Sequence, residues 1–369
     1  MQYIKNKNYV IFHISSMEII GSVVNIDEEK KISEIFFTEF ELIKFEKNFN
    51  FDNFLKNIES SIEKISDSLL DYLMILKDIE IDKIFIFLTA PLIKENFFTL
   101  KDERINPFLV TEKYLENFIN NTEKKEKNEI LLKTEITSIK SNDYDVLINN
   151  LINKKMSSLE ISLFNTKLSK KIEKKIDGLI KSKFPFLENI FLGFIPSFLS
   201  EIKEIYDIDN DFIFINFSGE YFDFGVFINN KIEFLITQKG GFNNFLRKII
   251  DNGLAKNLEE AKYLFSLYNN NELEKEERKK INIIVKNENK KMEEFLLKNL
   301  KEKTSSYIPK KVFAFTPFGM KSIMNDFTIF KDIVFVDYQL LRNFIIIEDK
   351  KNFNPFIVLA VNYILKNNY

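Results

Sequence analysis

Apolar residues recur along this chain with two different periods, which predict strands and helices in alternation. Tyr9 to Asn25 and Lys31 to Phe45 are rich in β-branched and aromatic residues, which favours strands. From Phe51 to Leu76 apolar residues recur every three or four positions, which predicts a helix with one buried face. Lys83 to Ala90 is nearly all apolar, as in a strand whose sheet is covered on both faces. This order of strands, helix and strand predicts an α/β layer.

The pattern changes between Pro91 and about Leu168. Pro91 and Pro107 interrupt it, and a charged loop spans residues 123 to 129. We predict one helix, Thr111 to Ile119, and three strands: Ile130 to Lys140, Asp143 to Ile148 and Ser158 to Asn165. The segment therefore predicts a small α+β module inserted after a strand.

The second half of the chain returns to alternating strands and helices. Helices are predicted for 169–182, 197–205, 242–250, a capped segment starting at Asn257, a long charged segment in 272–303 and a last helix from Asn354-Pro355 to Leu365. Strands are predicted for 190–193, 311–315, 333–336 and three runs within 212–239. The first two runs of 212–239 are joined at Asn229-Asn230, because Asn tolerates the left-handed backbone of tight turns.

Composition excludes several classes of function. The 369 residues carry a net charge of -2 with basic and acidic residues interspersed, so no one-sign patch suits nucleic acid. With no cysteine and one histidine, disulfides, thiolate zinc sites and cysteine nucleophiles are excluded, and a Ser-His pair is disfavoured. The amino terminus lacks the pattern of a signal peptide, and no apolar run reaches the roughly 20 residues of a membrane span, which predicts a cytoplasmic protein without direct membrane insertion.

The turn Asn216-Phe217-Ser218-Gly219-Glu220-Tyr221-Phe222-Asp223 carries the strongest functional signal. It lies between two strands and is followed by a hairpin and the Gly240-Gly241 pair. This order resembles the second phosphate loop of the actin-like ATPase superfamily, in the branch of the bacterial proteins FtsA and PilM. The inserted module and the closing segment NPFIVLAVNYIL match that branch too. The resemblance implies a two-lobed actin-like (ribonuclease H-like) α/β fold.

The resemblance also implies domain boundaries. Residues 1-93 would form the first part of the first lobe, 94-168 the inserted α+β module, 169-205 the rest of the first lobe and 206-369 the second lobe.

The residues at the implied nucleotide cleft depart from the family pattern in all three turns. His13-Ile14-Ser15-Ser16 stands where the family has Asp-Ile-Gly-Ser, and a neutral imidazole is a poor ligand for Mg²⁺. In the second turn Asn216 and Ser218 replace Asp and Gly. In the third, Thr316-Pro317-Phe318-Gly319 stands where Gly-Gly is expected, so proline removes a donor. The remnant cleft would consist of Ser15, Ser16, Ser218, Gly219, Glu220, Gly240, Gly241 and Gly319, with Asp223 as the candidate metal ligand and no catalytic residue.

These losses predict a pseudo-ATPase that needs no cofactor and acts as a scaffold or adaptor of the FtsA/PilM type. The alternative is an active ATPase or a sugar-kinase-like phosphotransferase, which would need ATP and Mg²⁺ and a cation carboxylate from Glu220 or Asp223. Purely structural roles are the alternative for three of these residues. His13 suits a hydrogen-bonded interior position, Asp223 a turn-capping role and Gly219 a backbone requirement.

The resemblance implies a protein partner, such as a short cytoplasmic peptide of a membrane protein, in pilus or secretion assembly or in cell division. It leaves a homo-oligomer open. The partner would place the chain peripherally at the inner membrane, and residues 94 to 168 would contribute a docking surface.

Overall fold

The computed structural model describes most of the chain. The described residues are 7–27, 32–76, 79–120, 127–142, 144–146, 150–205, 211–228, 231–303, 307–316, 324, 327–330, 332–336, 341, 346–347 and 353–367. The predicted Asn229-Asn230 turn and the segment 317–323 lie outside them. Among the described residues, no helix combines the length and apolar character that a membrane crossing requires.

A six-stranded sheet in the order β15-β3-β2-β1-β4-β9 forms the first layer. Its strands are β1 (Lys7–Ile14), β2 (Glu18–Asp27), β3 (Ile32–Leu42), β4 (Lys83–Leu88), β9 (Glu188–Gly193) and β15 (Ile346–Ile347). β1, β2 and β3 are antiparallel, whereas β4 and β9 run parallel to β1. The predicted strands and α/β class are therefore confirmed.

Helices cover both faces of this sheet, which explains the nearly continuous apolar sequences of β1 and β4. α1 (Phe51–Ile75) begins at Asn50, whose side chain accepts a hydrogen bond from the Asn53 N–H at 3.0 Å. α1 and α3 (Lys170–Lys183) share one buried core with β1, β2 and β4. On the opposite face lie α4 (Phe194–Ile205) and α8 (Pro355–Asn367). We call this sheet with its helices the first lobe.

A five-stranded sheet in the order β12-β11-β10-β13-β14 forms the second lobe. Its strands are β10 (Phe212–Phe217), β11 (Tyr221–Ile228), β12 (Lys231–Lys239), β13 (Lys311–Phe315) and β14 (Asp332–Phe335). The outer face of this sheet is covered by α5 (Phe242–Asp251), α6 (Leu258–Asn269) and α7 (Lys275–Lys303). The Asn257 side chain caps α6 by accepting from the Glu260 N–H at 2.9 Å, as predicted. Glu260 in turn accepts from the N–H of Lys256, at 2.7 Å, one residue before the cap.

The two sheets repeat one connectivity. In each, three antiparallel strands are followed in space by two parallel ones, so that β1-β2 corresponds to β10-β11. One core, which includes Tyr9, Phe85, Phe198, Phe212 and Phe313, fills the space between the sheets. The turns β1-β2 and β10-β11 meet beside this core.

A four-stranded sheet forms the inserted module, in the order β5-β8-β6-β7. Its elements are β5 (Ile93–Val110), α2 (Glu112–Asn120), β6 (Glu129–Ser141), β7 (Tyr144–Asp145) and β8 (Lys154–Ser169). The sequence does not predict β5, because Pro107 within it and Pro91 before it argue against a regular strand. Pro107 is tolerated because the pairing of β5 with β8 is irregular between Glu103 and Phe108, so no ladder hydrogen bond is needed there.

The predicted boundaries of the domains stay a prediction. The strand β15, residues 346–347, pairs with β3 in the first sheet, although it follows the second lobe in sequence. Lys133 of β6 donates a hydrogen bond to the Tyr363 hydroxyl of α8, so the module also contacts the last helix.

A pair of glycine substitutions tests how tightly α1 packs on the first sheet. A Cβ at Gly21 in β2 would lie 2.3 Å from Ile65 Cγ2 and 2.9 Å from Leu69 Cδ1, so Gly21→Ala should lower the free energy of unfolding by about 1 to 3 kcal/mol. At Gly178 in α3 a Cβ meets nothing within 4 Å, so Gly178→Ala should raise it by about 0.5 to 1 kcal/mol. Urea unfolding measures the free energies of unfolding of both variants. Equal effects of the two substitutions would contradict the tight packing of α1 against Gly21.

Candidate functional site

The turns β1-β2 and β10-β11 touch directly where the sequence predicts a remnant nucleotide cleft. The Ser16 and Ser218 hydroxyls hydrogen-bond to each other, and Ser16 Oγ accepts from the Glu220 N–H at 2.9 Å. Both serines are buried. The two lobes are thus joined by side-chain and backbone contacts between these two turns.

Gly219 makes this close approach feasible. A Cβ there would lie 2.5 Å from the Ser16 carbonyl oxygen and 3.0 Å from Met17 Cα, both backbone atoms. The glycine is therefore required by the neighbouring turn, in agreement with the backbone role considered for it. It leaves no gap at this point between the backbones of the two turns.

The backbone N–H groups at the start of α5 are already occupied. Gly240 and Gly241 donate to the Glu220 carbonyl at 3.0 and 3.2 Å. Phe242 donates to the Ser218 carbonyl at 2.9 Å and Asn243 to the Gly219 carbonyl at 2.7 Å. A helix amino terminus can bind an anion through such groups, but here carbonyl oxygens hold them. A Cβ at Gly241 would lie 2.4 Å from the Ser218 carbonyl oxygen, so this glycine too serves packing.

The first turn likewise satisfies its own backbone. The Ser15 N–H donates to the Glu18 carbonyl at 3.0 Å, and Ser15 Oγ accepts from the N–H groups of Met17 and Glu18 at 3.2 and 3.1 Å. This side-chain-to-backbone pattern stabilises the turn locally. It uses donors that would otherwise be offered to a phosphate.

Asp223, the candidate metal ligand, is buried and bonded through both carboxylate oxygens. Oδ2 accepts from Asn216 Nδ2 at 2.9 Å and Oδ1 from Thr237 Oγ1 at 2.7 Å. Burial raises the pKa of Asp223 to about 6, more than these two hydrogen bonds lower it. Burial also raises the pKa of Glu95, with Asp223 and Glu135 adding to the effect. Among the described residues, no three acidic or histidine side chains are grouped as metal ligands.

His13 lies in an aromatic environment. Its ring stacks on Phe356 with centroids 4.2 Å apart, and its edge meets Phe194 at 4.8 Å. Burial lowers the pKa of His13 to about 3, so the imidazole is neutral. Neither ring nitrogen has a hydrogen-bond partner among the described residues, so the interior position is confirmed but its expected hydrogen bonds are not seen. The aromatic contacts give His13 a packing role.

A cavity of about 20 Å³ lies between the turns, lined by His13, Ser15, Thr89, Asn216, Ser218 and Phe356 among others. A space of this size holds about one water molecule. It is far smaller than the several hundred Å³ of an ordinary small-molecule site.

One predicted glycine cannot be placed, and one arginine of the site was not predicted. Gly319, with Pro317 and Phe318, lies outside the described residues, so the third turn stays a prediction. Arg247 was missed by the sequence reasoning, although it donates to both carboxylate oxygens of Glu220 at 2.7 and 2.8 Å. A signal did exist, because only four of the 53 basic residues are arginine, the residue suited to such two-pronged contacts.

The contact between the turns predicts a strong effect of a single methyl group. Gly219→Ala should lower the free energy of unfolding by about 2 to 3 kcal/mol, because its Cβ meets backbone atoms that cannot rotate away. Urea unfolding with Gly178→Ala as the unhindered control measures the difference. A Gly219→Ala variant as stable as the parent protein would show that the turns do not need this approach.

Burial of Asp223 predicts a pH dependence of stability. Because its pKa rises from 3.8 to about 6 on folding, the folded state holds the proton more tightly. The stabilisation that the proton on Asp223 gives to the folded state is complete below about pH 4 and is lost as the pH rises to about 6. The free energy of unfolding changes by about 3 kcal/mol over this range. Urea midpoints from pH 4 to 8 should fall more steeply for the parent protein than for Asp223→Asn. Glu18→Gln serves as the comparison, since burial raises the pKa of Glu18 to about 7 and its effect extends to higher pH. Parallel curves for Asp223→Asn and the parent protein would contradict the assignment.

No protein-family profile matches the chain, and no curated protein sequence matches it. Solved structures do match. A chain of the PilM-PilN type IV pilus biogenesis complex is 10% identical, with a TM-score of 0.67 over 98% of both chains. A Bacteroides thetaiotaomicron protein with an actin-like ATPase fold is 9% identical, with a TM-score of 0.44 over 96% of this chain and 95% of its own. The ethanolamine utilization protein EutJ of Carboxydothermus hydrogenoformans is 11% identical, with a TM-score of 0.45 over 98% and 89%.

The likeness to the chain of the PilM-PilN complex covers 98% of this chain. At this level of identity it establishes the fold and leaves activity to the residues of the site. This chain has the actin-like ATPase fold.

Proposed function

We propose that the chain is an actin-like scaffold or adaptor of the PilM type, a pseudo-ATPase that recruits protein partners at the cytoplasmic face of the membrane. The observation that carries this proposal is the direct contact of the two turns through Ser16, Ser218 and Gly219. Where nucleotide phosphates would need free N–H groups, the chain presents N–H groups already bonded to its own carbonyls.

Opening this contact for a nucleotide would be costly. The buried Ser16 and Ser218 hydroxyls and the Glu220 N–H would lose their partners, while the N–H groups of 240–243 would stay bonded to the carbonyls of 218–220. Each buried donor left without a partner costs about 1 to 3 kcal/mol, and no cation carboxylate offsets this loss. Affinity for Mg-ATP should therefore be weak.

The alternative, an ATP-dependent enzyme, would need Glu220 or Asp223 as a carboxylate for the cation. Glu220 is bonded to Arg247 through both oxygens, and Asp223 is bonded to Asn216 and Thr237. Neither carboxylate lines the cavity of about 20 Å³ between the turns. The contacts support the scaffold over the enzyme.

The partner proposal rests on the matched assembly, which is a complex of PilM with PilN in type IV pilus biogenesis. By analogy we propose that this chain binds a short cytoplasmic peptide of a membrane protein, in pilus or secretion assembly or in cell division, which would hold it peripherally at the inner membrane. We place the docking surface on the inserted module, where Leu131 and Ile136 of β6 expose 41% and 39% of their surfaces. In the part of the chain that the structure describes, β7 pairs with β6 only at residues 140–141, so most of this edge of β6 has no paired strand that a peptide would have to displace.

Titration with Mg-ATP tests the pseudo-ATPase. Isothermal calorimetry and thermal shift should show no binding below about 1 mM, and no hydrolysis above the buffer rate, because the donors and carboxylates of the cleft are engaged. Asp223→Asn is the matched variant. Sub-millimolar binding that this variant abolishes would overturn the proposal and favour the ATP-dependent enzyme.

Point variants of the module test the partner surface better than its removal, because Lys133 ties β6 to α8. Leu131→Lys and Ile136→Lys should each weaken binding about tenfold to the cytoplasmic peptides of single-span membrane proteins encoded beside this chain's gene, since a buried lysine must be desolvated. Met74→Lys on α1, where the side chain is 71% exposed, is the control. Fluorescence anisotropy with labelled peptides measures the affinities. Unchanged affinity in both module variants would exclude this surface.

A further inference from the structure

The segment between β3 and α1 belongs to the first lobe in sequence and reaches the second lobe in space. The N–H of Ile43 donates to the Met17 carbonyl at 2.8 Å, which ties the segment to the first turn. Phe45 packs against the core of the second lobe. Phe49 contacts Phe54 of α1 at 5.5 Å and Tyr221 of β11 at 6.1 Å between ring centroids. The segment is thus a bridge between the lobes next to the paired turns.

Arg247 of α5 holds this bridge from the second lobe. Its Nε and one terminal nitrogen donate to the Glu46 carbonyl at 3.1 and 2.9 Å. Its guanidinium carbon lies 4.9 Å from the centroid of the Phe45 ring. Arg247 therefore contacts the first lobe through a backbone oxygen and through an aromatic face.

Glu220 fixes the orientation of Arg247. Both carboxylate oxygens accept from the guanidinium, and Oε1 also accepts from Asn243 Nδ2 at 2.7 Å. Only 16% of the Arg247 side chain and 8% of the Glu220 side chain are exposed. A two-pronged arginine-carboxylate pair in so little solvent is strong and geometrically defined. Because Glu220 follows Gly219, the pair is continuous with the contact between the turns.

We propose that Arg247, Glu220, Asn243, Phe45 and Glu46 form a built-in clamp that keeps the two lobes closed without nucleotide. The clamp does from within the chain what a ligand held between two lobes would otherwise do, which is to supply charge-assisted contacts to both. It extends the proposed function, since a scaffold that is permanently closed presents its partner surface in one fixed state. A lysine could not replace Arg247, because one ammonium group cannot donate to Glu46 and to both oxygens of Glu220 in this planar arrangement.

The absence of cysteine makes a direct test simple. Spin labels at Lys56→Cys on α1 and Lys279→Cys on α7, both exposed positions on different lobes, report the distance between the lobes by pulsed electron paramagnetic resonance. The labelled parent protein without nucleotide should give one narrow distribution. Arg247→Gln in this background should shift it to longer distances and broaden it.

The matched control is Lys248→Gln. It removes the same charge from the same helix, but Lys248 lines a groove between α5 and α7. It should leave the distribution unchanged. An unchanged distribution in folded Arg247→Gln would overturn the clamp.

If circular dichroism shows that Arg247→Gln does not fold, the distance distribution of Arg247→Lys tests the clamp instead. A broadened distribution supports the clamp, and an unchanged one overturns it.

Addition of Mg-ATP separates the clamp from the proposed function. If Mg-ATP restores the narrow distribution of Arg247→Gln, the chain binds nucleotide, which overturns the pseudo-ATPase while the clamp stands. If Mg-ATP has no effect and the Arg247→Gln distribution is broad, both are supported.

Discussion

The structure depends on the approach of two backbone turns at Gly219 and Ser16. A glycine is needed because any Cβ would lie 2.5 Å from the Ser16 carbonyl oxygen. Once the turns touch, the Ser16 and Ser218 hydroxyls bond to each other and the start of α5 bonds to the carbonyls of 218–220. The buried aromatic core between the sheets and the clamp around Arg247 both lie beside this contact, so the relation of the lobes follows from it.

Side chains of the chain itself supply charge and fill space beside this contact. In a nucleotide-binding member, phosphates and a cation would supply charge between the lobes. Here Glu220 and Arg247 supply an internal charge pair, and the neutral His13 ring fills space against Phe194 and Phe356. Asp223 keeps its position at the base of the turn but is bonded to Asn216 and Thr237. Ser16, Ser218 and Glu220 are hydrogen-bonded within the chain as well, whereas both His13 ring nitrogens and Asn216 Oδ1 have no hydrogen-bond partner among the described residues.

Most elements could be predicted because their signals are local. The apolar stripe of α1, the cap at Asn257 and the apolar runs of β1, β4 and β10 fix their own conformations through periodicity and side-chain chemistry. Strand β5 was missed because Pro107 argues against a regular ladder, and only the irregular pairing with β8 permits it. Arg247 was missed because its partners Glu46 and Glu220 are distant in sequence.

The sequence by itself determined the α/β class, the inserted module and the residues of each turn, since strands, helices and turns depend on neighbours along the chain. By resemblance to the FtsA and PilM branch, it also predicted that carboxylates and glycines of the implied nucleotide cleft are replaced at several positions. Only the tertiary structure decided what the replacements do. Whether Ser16 and Ser218 face a ligand or each other depends on the distance between two lobes, and that distance is set by contacts between residues about 200 positions apart.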